Sequence, residues 1–155
     1  MVAVLIGFAG LAAWGLHWFR KSLEPVHDPA RYADVMGDLR QRGYPYTAHF
    51  PATIPGDASA VRFSYQPGFL QGALLIQLQY TLPADRFAAV RRQVVAPTTA
   101  PSLGFEPLPH IDPLPNGFES ITLGGQSLYG GDKGYAYGVA FDPATNGVIY
   151  WLEDW

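Results

Sequence analysis

The chain has 155 residues, of which 48% are hydrophobic and only 15% charged, with ten Lys or Arg against thirteen Asp or Glu. That length suits one domain with an appendage, and charged residues fall below the quarter or so usual in soluble proteins. Without Arg20 and Lys21 the balance is eight basic to thirteen acidic, a net −5 with no basic run longer than two. Phosphate binding needs a clustered basic face, so the composition argues against a nucleic-acid partner. There is no cysteine, which excludes disulfides, thiolate metal sites and cysteine nucleophiles.

Val2 to Phe19 reads VAVLIGFAGLAAWGLHWF, eighteen residues without a charge. As a helix it is roughly 27 Å long, close to the ~30 Å hydrocarbon thickness of a bilayer. Trp14, Trp18 and Phe19 gather at its end, followed by Arg20 and Lys21; aromatics at headgroup depth with cations just outside anchor such a helix. A cleaved signal peptide would begin with a basic stretch and close on small residues, neither of which is present. The expectation is a transmembrane or anchor helix over residues 1–21 and a single globular domain over 22–155. Arg20, Lys21 and Arg31 all lie on the domain side, which by the positive-inside rule favours a cytoplasmic domain.

After the linker 22–27, Asp28-Pro29 offers an N-cap and a first-turn proline. Tyr32, Val35, Met36 and Leu39 then recur at helical spacing, and Gly43 stops the helix. A proline-broken connector, 44–57, contains His49-Phe50-Pro51. Val61, Phe63 and Tyr65 alternate with polar residues as a half-buried strand does, and Pro67-Gly68 suits a type II turn. The return strand sets Leu74, Ile76, Leu78 and Tyr80 on one face. A second helix runs from about Leu82 to Val95, its inner face formed by Phe87, Val90, Val94 and the alkyl part of Arg91. Pro97 to Pro115 holds six prolines in nineteen residues and can be neither helix nor central strand. A strand over 118–123 ends at Gly124-Gly125. Tyr135, Tyr137, Val139 and Phe141 share one face of the next strand, with Ala136, Gly138 and Ala140 on the other. The turn 142–147 leads to a last strand bearing Val148, Tyr150 and Leu152. The fold class is α+β, with two helices and a mainly antiparallel sheet.

Taken together, HDPARYADV, AHFPATIP, FSYQPGFLQGALLIQLQY and YGVAFDPATNGVIYWLEDW resemble a family of small bacterial proteins of uncharacterised activity. Its pattern is an N-terminal hydrophobic segment, an HFP…IP element, a PGF-(L/M)-QGG-like turn and a YGVA…YW ending. Here Phe69-Leu70-Gln71-Gly72 is followed by Ala73, not by a second glycine. The resemblance implies a membrane-tethered bacterial protein with a domain outside the cytoplasm, against the charge rule. It implies no activity.

His17 follows Ala13 by four residues, a spacing that resembles the one by which light-harvesting polypeptides ligate a chlorophyll-type pigment; neutral imidazole is a metal ligand. The plainer reading is an interfacial histidine. His110-x-Asp112 and His27-Asp28 are two short pairs far apart in sequence, whereas a metal site needs three or four converging ligands. Asp28 is more simply a cap. No serine sits in a nucleophile elbow, and Gly124–Gly134 lacks the phosphate-loop lysine. Glu119, Asp132 and Glu153 are the carboxylates from which a catalytic pair could be drawn. Trp151 belongs to an alternating strand and hence to a core, while Trp155 is the better candidate for an interface.

The expected function is a single-pass, membrane-anchored protein, not an enzyme, whose domain is a binding or accessory module. Its partners are lipid and another membrane protein, and a subunit of a photosynthetic complex is the narrower form. The alternative is a tethered enzyme acting on cell-envelope material, with His49, His110, Asp112 and Glu119 converging in a cleft. A small-molecule sensor would instead need an enclosed apolar pocket.

Overall fold

The computed structural model describes residues 24–68, 73–95, 118–128 and 133–154. Their core is a five-stranded antiparallel sheet in the order β1-β2-β5-β4-β3. The strands are β1 (Ser59–Gln66), β2 (Leu74–Thr81), β3 (Glu119–Leu128), β4 (Lys133–Asp142) and β5 (Gly147–Asp154). Two helices, α1 (Tyr32–Gln41) and α2 (Ala84–Val95), accompany them. The expected α+β class and antiparallel sheet are therefore present. The N-terminal segment 2–19, with Trp14, His17, Trp18, Phe19, Arg20 and Lys21, lies outside the described residues. Among the described residues no helix is long and apolar enough to cross a membrane.

The helix signals act as their chemistry requires. The Asp28 carboxylate accepts from Ala30 N–H at 3.0 Å, capping a 3₁₀ turn, Pro29–Arg31, that runs into α1. At the other end Gly43 adopts φ +75°. Gly43 N–H then reaches the Arg40 carbonyl at 2.9 Å and Tyr44 N–H that of Leu39 at 3.0 Å, the paired closure of a Schellman motif. Tyr32, Val35, Met36 and Leu39 are buried, as their spacing predicts.

Register explains the core. Phe63, Leu78, Tyr150, Val139 and Ile121 lie side by side across all five strands. Tyr65, Ile76, Leu152 and Tyr137 form the next row, and Tyr80, Val148 and Phe141 the row on the other side. These side chains, α1 and Phe87 of α2 make one apolar cluster. β5 is the central strand, and residues 147–153 are buried on both faces.

Three expectations need correction. The glycine pair does not end β3. The strand passes through it to Leu128 with an irregularity between Thr122 and Gly124. A side chain at Gly124 would strike the phenol of Tyr137, and one at Gly125 the backbone of Tyr135 and Ala136, so these glycines make room and do not turn the chain. The β1–β2 connection runs from 67 to 73, and Gly68 lacks the positive φ of the expected turn. Arg91 does not line the core: it is exposed and bonds Glu119 at 2.8 Å.

Candidate functional site

The connector after α1 places the chemistry. Tyr32 donates its hydroxyl to the Pro51 carbonyl at 2.5 Å, and Arg40 donates to the Phe50 carbonyl at 3.1 Å. These bonds hold residues 44–51 over one end of the sheet. The Thr47 hydroxyl donates to the Tyr44 carbonyl at 3.1 Å within the 3₁₀ turn Pro45–Thr47. The connector thus delivers Tyr44, Tyr46 and His49 onto β4 and β5.

Four half-buried tyrosines meet there. Tyr46 stacks on Tyr135 with ring centroids 3.9 Å apart and lies 5.8 Å from Tyr137. Tyr44 meets Tyr46 edge-on at 6.1 Å and donates its hydroxyl to the Asp154 carboxylate at the end of β5. Burial, together with that bond, raises the Tyr44 pKa. The cluster therefore consists of phenol rings around the Asp154 side chain.

His49 is sandwiched among Phe50, Tyr137 and Tyr150 at 4.4, 5.1 and 6.3 Å. It donates Nε2–H to the Trp151 carbonyl at 3.1 Å, and Nδ1 has no partner. Desolvation lowers its pKa to about 4, so the ring is neutral at physiological pH. A half-buried neutral imidazole bonded to the backbone fits a structural pin better than a proton carrier.

The opposite face of the sheet carries a second unusual group. Gln77, Trp151, Gly138 and Thr122 form one row, and Leu75, Glu153, Ala136 and Gly125 the next. Trp151 lies over Gly138, where an added Cβ would come within 2.7 Å of the indole. Glu153 is 2% exposed, and neither its Oε1 nor Trp151 Nε1 has a hydrogen-bond partner. Burial raises the Glu153 pKa to about 7, so this carboxyl is substantially protonated near neutrality.

The other sequence candidates do not converge here. Glu119 pairs with Phe141, whereas His49 sits against Tyr137 four residues along β4, about 13 Å away at ~3.3 Å per residue. Glu119 is exposed and ion-paired with Arg91. His27 is exposed beside the capping Asp28. His110, Asp112, Asp132 and Trp155 lie outside the described residues. Among the described residues, no three His, Asp or Glu side chains form a metal-binding group.

Sequence reasoning missed the tyrosine cluster. Its only trace was two Tyr-x-Tyr pairs, Tyr44/Tyr46 in the connector and Tyr135/Tyr137 on a strand. Glu153 was considered, but as one of a carboxylate pair and not as a lone buried acid. No family model, curated protein or solved structure matches this chain.

Proposed function

We propose that this chain is a single-pass, membrane-anchored protein whose α+β domain binds another membrane protein as an accessory module. One observation carries the reading: eighteen uncharged residues, Val2 to Phe19, close on Trp14, Trp18 and Phe19 and are followed at once by Arg20 and Lys21, with four residues between Lys21 and Val26, which is paired with the sheet. A domain held so close to lipid works on what lies in or on the membrane. The half-buried tyrosines support a binding role, because phenols supply rigid contact area with a polar tip. The tethered-enzyme alternative asks His49 and Glu119 to share a cleft, which their separation along β4 opposes. The narrower proposal, a pigment-bearing subunit ligated through His17, rests on the Ala13-to-His17 spacing alone.

The test is extraction of the full chain from native membranes, first with carbonate and then with mild detergent. The proposal expects the protein to resist carbonate and to co-purify with a membrane protein identified by mass spectrometry. Visible absorbance that follows the protein and disappears in His17→Ala would establish the pigment. Release into the aqueous wash would overturn the anchor, and purification as a partner-free monomer would overturn the accessory role.

A further inference from the structure

The described chain enters the domain at one end of the sheet. Val26 pairs antiparallel with Tyr65 through two backbone bonds, Val26 N–H to the Tyr65 carbonyl at 2.8 Å and the reverse at 2.9 Å. Because β1 runs from Ser59 to Gln66, the antiparallel chain reaches Val26 from the Gln66 end. Gln66 is in register with Leu75, and Leu75 with Glu153. One residue further out lies the row Leu74, Asp154 and Tyr135. This is the row on which Tyr44 and Tyr46 sit, through the Tyr44–Asp154 bond and the Tyr46–Tyr135 stack. The chain entry and the tyrosine cluster therefore share one end of the sheet. The turn 143–146, with Pro143, Ala144 and Thr145 exposed, marks the other.

We infer that Tyr44, Tyr46, Tyr135 and Tyr137 form a foot by which the domain rests in the lipid headgroup layer. The inference builds on the membrane-anchor proposal and adds an orientation to it. Six residues, Arg20 to Pro25, separate Phe19 from Val26, the first described residue paired with the sheet, and six extended residues reach at most about 21 Å. The headgroup regions add roughly 5–8 Å to each side of the ~30 Å hydrocarbon core. A domain on so short a leash, entered at its tyrosine end, keeps these rings within about 10 Å of the headgroups. Tyrosine suits that depth, because its ring partitions toward the acyl boundary while its hydroxyl bonds to water and phosphate or glycerol oxygens. The donation from Tyr44 to Asp154 engages the carboxylate of this row. Among the described residues, Glu24 on the entering chain and the Arg42–Asp38 ion pair beside Tyr65 are exposed charged groups at this end, and they fit the polar side of the same layer.

The absence of cysteine makes the test direct. Single cysteines are introduced in the full chain at Pro45, exposed between Tyr44 and Tyr46, or at Ala144 in the far turn, and labelled with an environment-sensitive fluorophore. The protein is reconstituted into phosphatidylcholine vesicles carrying a headgroup-level nitroxide lipid. The expected result is several-fold stronger quenching from Pro45→Cys than from Ala144→Cys, with the contrast reduced in Tyr46→Ser/Tyr135→Ser. Equal quenching at both positions in protein that floats with the vesicles overturns the foot and leaves the anchor standing. Position 45 shielded from aqueous iodide yet unquenched by lipid assigns this end to a second copy of the chain, and that also overturns it. Protein that does not float with vesicles overturns the anchor itself.

Discussion

The two faces of the sheet are both buried at its central strand, β5, but by different chemistry. On the helix face, large side chains in continuous rows meet α1 and Phe87 of α2, with Leu78, Val139, Phe141, Val148 and Leu152 inaccessible. Polar groups admitted to that face are tied to the backbone, as Tyr32 is to Pro51 and His49 to Trp151. The other face sets small residues, Ala136, Gly138 and Ala140, beside a tryptophan and a carboxyl with unpartnered polar atoms. Its separate cluster, among the described residues, is Ala136 with Trp151. A central strand such as β5 is thus closed on both sides, by large apolar rows on one and by small residues beside a tryptophan and a carboxyl on the other. Unpaired buried polar groups cost free energy, and among the described residues they occur on both faces, His49 Nδ1 on one and Trp151 Nε1 and Glu153 Oε1 on the other.

Substitutions can sharpen this contrast. The largest loss is expected at the helix face: Leu78→Ala, at a site with no exposure, should cost about 2–5 kcal/mol in denaturant unfolding of the full domain. A cost under about 1 kcal/mol would mean that the helix face is not the stabilising one.

Next comes a pH experiment that separates the faces. His49 is neutral in the fold, with a pKa near 4 against 6.5 unfolded. Its contribution is complete above pH 6.5 and is lost as pH falls toward 4. Glu153 is protonated in the fold, with a pKa near 7 against 4.5 unfolded. Its contribution is complete below pH 4.5 and is lost as pH rises toward 7. Each swing approaches about 3 kcal/mol, and between pH 4.5 and 6.5 the two slopes cancel. Stability of the unsubstituted domain should therefore be nearly flat there. Glu153→Gln should rise with pH over that window, and His49→Gln should fall. Flat curves for both variants would show that neither group is held as described.

A smaller effect probes the packing of the second face. Gly138→Ala drives a methyl group into the Trp151 indole and the Ile121 carbonyl. It should cost about 1–3 kcal/mol and shift Trp151 fluorescence, whereas an unchanged melting point would mean that the indole is free to move away. Smallest of all is Glu119→Gln at the rim, where the exposed pair with Arg91 should be worth less than about 1 kcal/mol by thermal unfolding.

Much of the helix face was legible before any coordinates. Period-3.6 spacing marked Tyr32, Val35, Met36 and Leu39, and period-2 spacing marked Leu74 to Tyr80 and Val148 to Leu152, because burial of one face writes its period into the chain. Gly43 was legible because a helix stop needs positive φ. Gly124-Gly125 was misread because a glycine spared for conformation and one spared for space look alike in sequence. The space is claimed by Tyr137, which belongs to another strand. Arg91 was misplaced for a similar reason, since its partner Glu119 is 28 residues away.

What the sequence alone determined is local: which segments are helix or strand, which face of each is apolar, and that an uncharged run of membrane-spanning length precedes them. Those properties depend on neighbours within a few residues, where spacing is the geometry. Tertiary structure alone decided that β5 lies at the centre, that Tyr44 reaches Asp154 across 110 residues, and that Glu153 and His49 lie on opposite faces. These depend on which strands pair and in what register, a choice made by the summed contacts of the sheet and held by no short segment of the chain.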